Sequence, residues 1–272
     1  MTLTTRQLSE SGNHVTFRDH GAGSPVVLLH GVGMQSIAWE PQIASLSQTC
    51  RVIAVDMPGH GGSAPLPKGS QLPDFVAWLH DVVQTLDLGP VAVAGHSMGA
   101  LIALGFAVDH PDLTSHVALL NGVHRRDAAA SEAVIARAAD ITAGRFDLET
   151  PLARWFGDQP SEAAARARVA EWLGSVDQDG YATAYAAFAR GDATYADRMA
   201  TIKCHLLAIT GDGDPNSTPE MANAMADAVE NGRAVVIKGH RHMVNLTAPE
   251  AVTAHLLGWL DHSQPNLQRK LQ

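Results

Sequence analysis

The segment Gly95-His96-Ser97-Met98-Gly99 carries the sharpest chemical signal in the chain. It follows a short apolar run and precedes a helix-like stretch. Ser97 therefore falls on a strand-to-helix turn, the setting that a Gly-x-Ser-x-Gly nucleophile elbow requires. The bland alternative is a glycine-rich turn with an incidental serine. A serine hydroxyl is a weak nucleophile until a base takes its proton. The base should be a histidine whose far nitrogen is held by a carboxylate. After such an elbow the acid comes next in the chain and the histidine last. The acid candidates are Asp212 and Asp214, in Gly211-Asp212-Gly213-Asp214-Pro215. The base candidates are His240 and His242, in Gly239-His240-Arg241-His242-Met243. One aspartate of the pair reads as the acid and the other as a turn former, because Asp closes turns readily. At most one histidine serves as base. Residue type alone leaves both pairs open.

The elements that must position these groups alternate. Short apolar runs at 26–29, 52–55, 91–94, 117–120, 205–209 and 234–237 read as strands buried on both faces. Helix-like stretches lie near 36–47, 74–87, 98–109, 219–229 and 250–260, with Asp74 as an N-cap candidate. This alternation implies a mainly parallel sheet covered by helices. Both candidate loops follow strands, and ligands of such sheets bind at the carboxyl ends of strands. The segment His14-Val15-Thr16-Phe17-Arg18 alternates and reads as an antiparallel edge strand. From about 124 to 200 the chain is alanine-rich and lacks β-branched runs, so it reads as several short helices. Its aromatics fit the small core of a helical insert, or a pocket wall. Its arginines Arg125, Arg126, Arg145 and Arg154 are candidates for holding a substrate carboxylate, against the alternative of solvated or salt-bridged surface residues. The tail from Ser263 to Gln272 is polar and reads as frayed.

Composition narrows the partners. The 272 residues are 46% hydrophobic and 17% charged, enough to bury a sizeable core. The formal charge of −9 disfavours nucleic acid and anionic membrane surfaces. No run is long and apolar enough for a membrane span, and the first residues lack a secretory h-region. Two cysteines, Cys50 and Cys204, exclude a disulfide framework and favour a reducing compartment, so a cytoplasmic location is expected. No zinc-ligand pattern, phosphate-binding loop or dinucleotide fingerprint is present, so neither metal nor cofactor is expected.

Taken together these motifs resemble the α/β-hydrolase-fold hydrolases over nearly the whole chain. The resemblance implies an α/β fold with a mostly parallel eight-stranded sheet flanked by helices and a helical cap inserted after strand 6. Residues 1–123 and 201–272 would form the core domain and 124–200 the cap. In that family a strand ending His-Gly precedes a residue whose N–H completes the oxyanion hole. Here His30-Gly31-Val32-Gly33 assigns Val32 to that role, beside the Met98 N–H. The loop Asp56-Met57-Pro58-Gly59-His60-Gly61-Gly62-Ser63 also matches, with His60 as a packing histidine. The family's acid-loop pattern, Gly211 before and Pro219 after, selects Asp214. Its last motif, aligned on His242 through Pro249-Glu250, selects His242. Arg241 stands where glycine is common, and Thr247 where an acidic residue is usual.

The implied function is a metal-free serine hydrolase that cleaves a small carboxylic ester or lactone. Ser97, His242 and Asp214 would be catalytic, and a small molecule the partner. Competing readings are a carbon–carbon hydrolase on an enol-diketone, a perhydrolase that uses peroxide, and a non-catalytic ligand-binding module on the same fold.

Overall fold

The computed structural model describes residues 2–261. The polar tail Ser263–Gln272 lies outside the described residues. Eight strands form one sheet: β1 (Leu3–Gln7), β2 (His14–His20), β3 (Pro25–Leu29), β4 (Arg51–Val55), β5 (Val91–His96), β6 (Thr114–Leu120), β7 (His205–Gly211) and β8 (Gly232–Ile237). Their order across the sheet is β1-β2-β4-β3-β5-β6-β7-β8. Pairings from β4 through β8 are parallel, whereas β2 pairs antiparallel with both β1 and β4. All six apolar runs are strands. The segment at 14–18 is antiparallel as expected, but it is not the edge. The strand β1 covers it, a polar and mostly exposed strand without alternation.

Strand periodicity divides the core. Along β3, Val27 and Leu29 point into one apolar layer while Val26 and Leu28 point into the other. Val93 and Ala94 of β5 divide the same way. The first layer is covered by α2 (Leu72–Thr85), α3 (Met98–Asp109) and α8 (Pro219–Asp227). The second is covered by α1 (Glu40–Leu46), the short α9 (Val244–Thr247) and α10 (Pro249–Leu260). Residues 98–108 of α3 are buried on every side, which explains why that segment lacks a polar face. At the start of α2, Gln71 is the N-cap and Asp74 lies one turn in. The Gln71 N–H donates to Asp74 Oδ2 at 2.7 Å, so Asp74 closes a capping box instead of capping directly.

Between β6 and β7 the chain forms α4 (Ala128–Thr142), α5 (Glu149–Trp155), α6 (Ala163–Ser175) and α7 (Gln178–Gly191). This helical cap rests on loops at the carboxyl ends of the strands. Gly180 of α7 meets Gly59 so closely that a Cβ on either would lie 2.5–2.6 Å from the other backbone.

Topology creates the crevice. The chain leaves β3 toward β4, then returns across β3 to β5 and continues toward β6. Connections therefore diverge between β3 and β5, the switch point where open α/β sheets bind ligands. Leu29 is paired with Gly95 there, so the loops at 30–33 and 96–98 emerge side by side.

The β5–α3 turn tolerates no side chain at two positions. A Cβ on Gly95 would lie 1.9 Å from the Gly99 carbonyl oxygen, and one on Gly99 would lie 2.4 Å from that of Leu29. The nearest atoms are backbone and cannot rotate away. Gly99→Ala should therefore destabilise the protein by about 3 kcal/mol or more, the upper range of overpacking. Urea unfolding measures this, and a loss below about 0.5 kcal/mol, the range of neutral surface changes, would contradict the packing described.

Candidate active site

Ser97 sits between β5 and α3 with φ 56° and ψ −114°. A non-glycine residue in that region is strained and persists only where its surroundings dictate it. Here the tight approach at Gly95 and Gly99 dictates it. The Ser97 N–H donates to the Leu120 carbonyl at 2.8 Å, which ties the turn to the end of β6. Ser97 retains 8% exposure at the crevice floor. Among the described residues its hydroxyl makes no hydrogen bond.

The acid and base loops meet beside it. His242 Nδ1–H donates to Asp214 Oδ2 at 2.7 Å, and both side chains are almost wholly buried. Asp214 Oδ2 also accepts from Asn121 Nδ2 at 2.8 Å, and Oδ1 accepts from the Asn216 N–H at 2.8 Å. Burial would raise the Asp214 carboxyl. The adjoining His242 and these hydrogen bonds outweigh burial and hold it below its usual value. Asp214 is thus kept ionised, and the His242 proton is kept on Nδ1, leaving Nε2 with its lone pair. The other candidates are placed elsewhere. Asp212 accepts the Gly239 N–H at 2.7 Å on the surface, which ties the loop after β7 to the loop after β8 instead of closing a local turn. His240 Nδ1 bonds Thr247 Oγ1 at 2.9 Å, one shell outside the buried pair.

His96, beside the serine, donates from Nε2 to the His242 carbonyl at 2.8 Å, and the two rings lie 5.1 Å apart. A Cβ on Gly31 would lie 3.1 Å from the Ser97 Cβ, so the loop after β3 passes directly against the serine. That loop is pinned by two more imidazoles. His30 Nε2 accepts the Met57 N–H at 2.9 Å while its Nδ1 faces the Gly31 carbonyl at 2.8 Å. His60 Nε2 accepts the Gly33 N–H at 2.9 Å and its Nδ1 bonds the Pro58 carbonyl at 3.0 Å. Each ring serves as acceptor and donor, which only the neutral form can do. Burial pushes His30 down to about 4 and His60 and His96 down to about 3. Between these pinned neighbours, the Val32 and Met98 N–H groups have no hydrogen-bond partner among the described residues. Met98 opens α3, whose N-terminus adds positive partial charge.

The cap closes over His242. Trp155 stacks 5.9 Å from the His242 ring, and its carbonyl accepts the His242 N–H at 3.1 Å. Arg241 Nη1 donates to the carbonyls of Ala153 and Phe156 at 2.9 and 2.8 Å. Carbonyls at the end of α5 lack helical partners, and a guanidinium satisfies them while complementing the helix dipole. The residue that replaces glycine in the base loop is therefore a clamp on the cap. Three contributors escaped the sequence reading. Asn121 carried a faint signal, a polar residue at the carboxyl end of β6. Trp155 and the Arg241 clamp join positions far apart in the chain, and although Arg241 stood out as a departure from glycine, its partners carried no signal.

Among the described residues no group of three His, Cys, Asp or Glu side chains is arranged to hold a metal ion. Of the cap arginines, Arg125 pairs with Asp197 and Arg145 with Asp140 on the surface, and Arg154 is exposed. Arg126 is buried against Asp192.

Two predictions follow from this wiring. In Arg241→Ala the Ala153 and Phe156 carbonyls lose their donor, so thermal stability should fall by about 1–3 kcal/mol. A scan that matches wild type would contradict the clamp. For acid, the unfolded chain takes up protons near pH 6.5 that the three buried imidazoles refuse when folded. Their contribution to stability is complete above about pH 6.5 and is lost as pH falls toward 4, and for His60 and His96 on toward 3. The urea midpoint should decline across that window, with a shallower slope in His60→Gln. Equal slopes would place a charged imidazole in the fold.

Comparison with known proteins supplies the lineage. A relative from Acinetobacter baylyi, (E)-2-((N-methylformamido)methylene)succinate hydrolase, is 51% identical over 261 residues, spanning 96% of this chain and 99% of its own length. The crystal structure of the enol-lactonase from Burkholderia xenovorans superposes with a TM-score of 0.85 at 26% identity, covering 94% of this chain and 99% of that one. A thermophilic esterase from Thermogutta terrifontis reaches a TM-score of 0.86 at 24% identity, with 96% and 98% covered, a likeness of fold. Among the described residues no helix is long and apolar enough to cross a membrane. The model of the alpha/beta hydrolase family matches residues 26–255, and the chain belongs to that family.

Proposed function

We propose that the protein is a serine hydrolase that works through an acyl-enzyme on small carboxylic esters, lactones and related activated acyl compounds. The observation that carries this reading is the buried His242–Asp214 pair, 2.7 Å apart, beside a serine held in a strained elbow. Ser97 Oγ attacks the carbonyl carbon as His242 Nε2 takes its proton. Asp214 holds the imidazole and balances the charge it gains. The free Val32 and Met98 N–H groups receive the developing oxyanion, a donor pair of which each member typically contributes ~10²–10³ in rate. His242 then returns the proton to the leaving atom. A water that gives its proton to the same nitrogen attacks the acyl carbon and frees Ser97.

The relatives favour a particular leaving group. The 51% identical hydrolase is named for an N-acyl group on a methylene-succinate, and the superposed lactonase for an enol ester. In both names the acyl group sits on a heteroatom attached to an alkene carbon. Departure of such an atom is eased because its electrons delocalise into the double bond. Acylated enols and enamines are accordingly the substrate class proposed within the broader one.

Kinetics of variants test the assignment. On an enol ester, Ser97→Ala and His242→Ala should each lower kcat by ~10⁴-fold or more, and Asp214→Asn by ~10³-fold or more. His240→Ala and Asp212→Asn should stay within about tenfold, because neither side chain joins the buried pair. A crippled His240→Ala with an active His242→Ala would move the base, and the corresponding reversal among the aspartates would move the acid.

A further inference from the structure

One face of α7 forms a wall from the oxyanion loop to a buried guanidinium. Tyr181, Tyr185 and Phe188 follow at helical spacing, with successive ring centroids 5.8 Å apart. At one end, Tyr181 lies against Gly33, where a Cβ would come 3.0 Å from the tyrosine ring. At the other end the Arg126 guanidinium lies over the Phe188 ring, 4.5 Å from its centroid. Seven residues of helix separate the ends, about 10 Å. A small acyl compound seated at Ser97 would extend along this wall.

Arg126 is anchored on one edge only. Its Nη1 lies 3.2 Å from Asp192 Oδ1, and the side chain is 4% exposed. Asp192 Oδ2 also accepts the Arg126 N–H at 2.6 Å. Nη2 is buried and has no hydrogen-bond partner among the described residues, and neither does the buried Nδ1 of His124, two residues earlier. A residue needed only to tie the loop after β6 to α7 would be satisfied by these contacts. The second amino group, with two N–H donors, is left over, and a buried unpaired donor calls for an explanation. The Tyr185 phenol beside it accepts a hydrogen bond from Arg137 and lies in the field of Arg137, Arg126 and Arg154, which leaves its O–H to donate. Positive charge and free donors thus collect at the end of the wall away from the serine.

Resting on the serine-hydrolase reading above, we propose that Arg126, with Tyr185, forms a subsite for a carboxylate of the substrate. Asp192 fixes the guanidinium plane, and Nη2 with the phenol hydroxyl donates to the carboxylate oxygens when substrate enters. The site therefore selects acyl compounds carrying an acid group several bonds from the scissile carbonyl.

The probes are para-nitrophenyl monoesters of succinate, glutarate and adipate. Each is compared with the butyrate, valerate or hexanoate ester, in which a methyl group replaces the acid. For at least one chain length wild type should prefer the acid ester by tenfold or more in kcat/KM. In Arg126→Gln that preference ratio should fall at least tenfold, in Arg126→Lys less, and in Tyr185→Phe measurably. Equal rates for acid and methyl esters, or a ratio unchanged in Arg126→Gln, would overturn the subsite. Ester turnover that persists in Ser97→Ala, or wild type that turns over neither acid nor methyl esters, would instead count against the hydrolase reading. Calorimetric binding of the free diacids decides the subsite in that event and if Arg126→Gln does not fold. Wild type should bind a diacid at least tenfold more tightly than the matching monoacid, with the excess reduced in Tyr185→Phe. Equal affinities would overturn it.

Discussion

The close approach of β5 and α3 is the constraint on which everything else rests. Two backbone segments meet with room for hydrogen atoms only, at Gly95 and Gly99, and the residue between them is driven to φ 56°. That conformation holds the serine at the crevice floor and leaves the next N–H, on Met98, without a helical partner. The same packing brings the loop after β3 against the Ser97 Cβ, which sets the Val32 N–H nearby. A single steric condition thus gathers a hydroxyl and two donors at the point where the sheet's connections diverge.

Neutral imidazoles do much of the remaining positioning. His30, His60 and His96 are each buried and each bonded to backbone, and burial keeps them uncharged. An uncharged ring can accept on one nitrogen and donate on the other, so it bridges loops without placing charge in the core. His96 shows the value of this most directly. It sits next to the serine and holds the carbonyl of His242, coupling the elbow to the His242 loop through one ring. The cap is joined to the same loop from above by the Arg241 clamp and the Trp155 carbonyl. Movement of the cap and placement of His242 are consequently linked.

Much of this architecture was readable from residue types. Buried parallel strands announced themselves as short apolar runs, and the helix at 98–109 matched to the residue because a glycine turn starts it. The stretch expected as one helix at 36–47 begins instead as a tight 3-10 turn at Ser36–Trp39 before α1. Polar β1 escaped because an exposed edge strand shows no alternation, and its presence moved β2 inward. Within the site, Ser97 and the two loops stood out because each follows a strand in a segment of distinctive composition, but Asp212 against Asp214 and His240 against His242 stayed open on residue type and were separated only by the family resemblance. Asn121 and Arg241 were visible as residues but not as partners, since their contacts span many tens of residues. Local patterns record how a segment folds, whereas such contacts arise only when distant segments share a crevice.

The central claim is that the Ser97 hydroxyl becomes covalently acylated during turnover. Acid-quenching the enzyme during steady-state hydrolysis of a slowly deacylating ester, followed by peptide mass spectrometry, tests this directly. The account predicts one acyl group per chain on the peptide carrying Ser97, appearing within the first turnover. Steady product formation with that peptide unmodified, or with the acyl group on another residue, would contradict it.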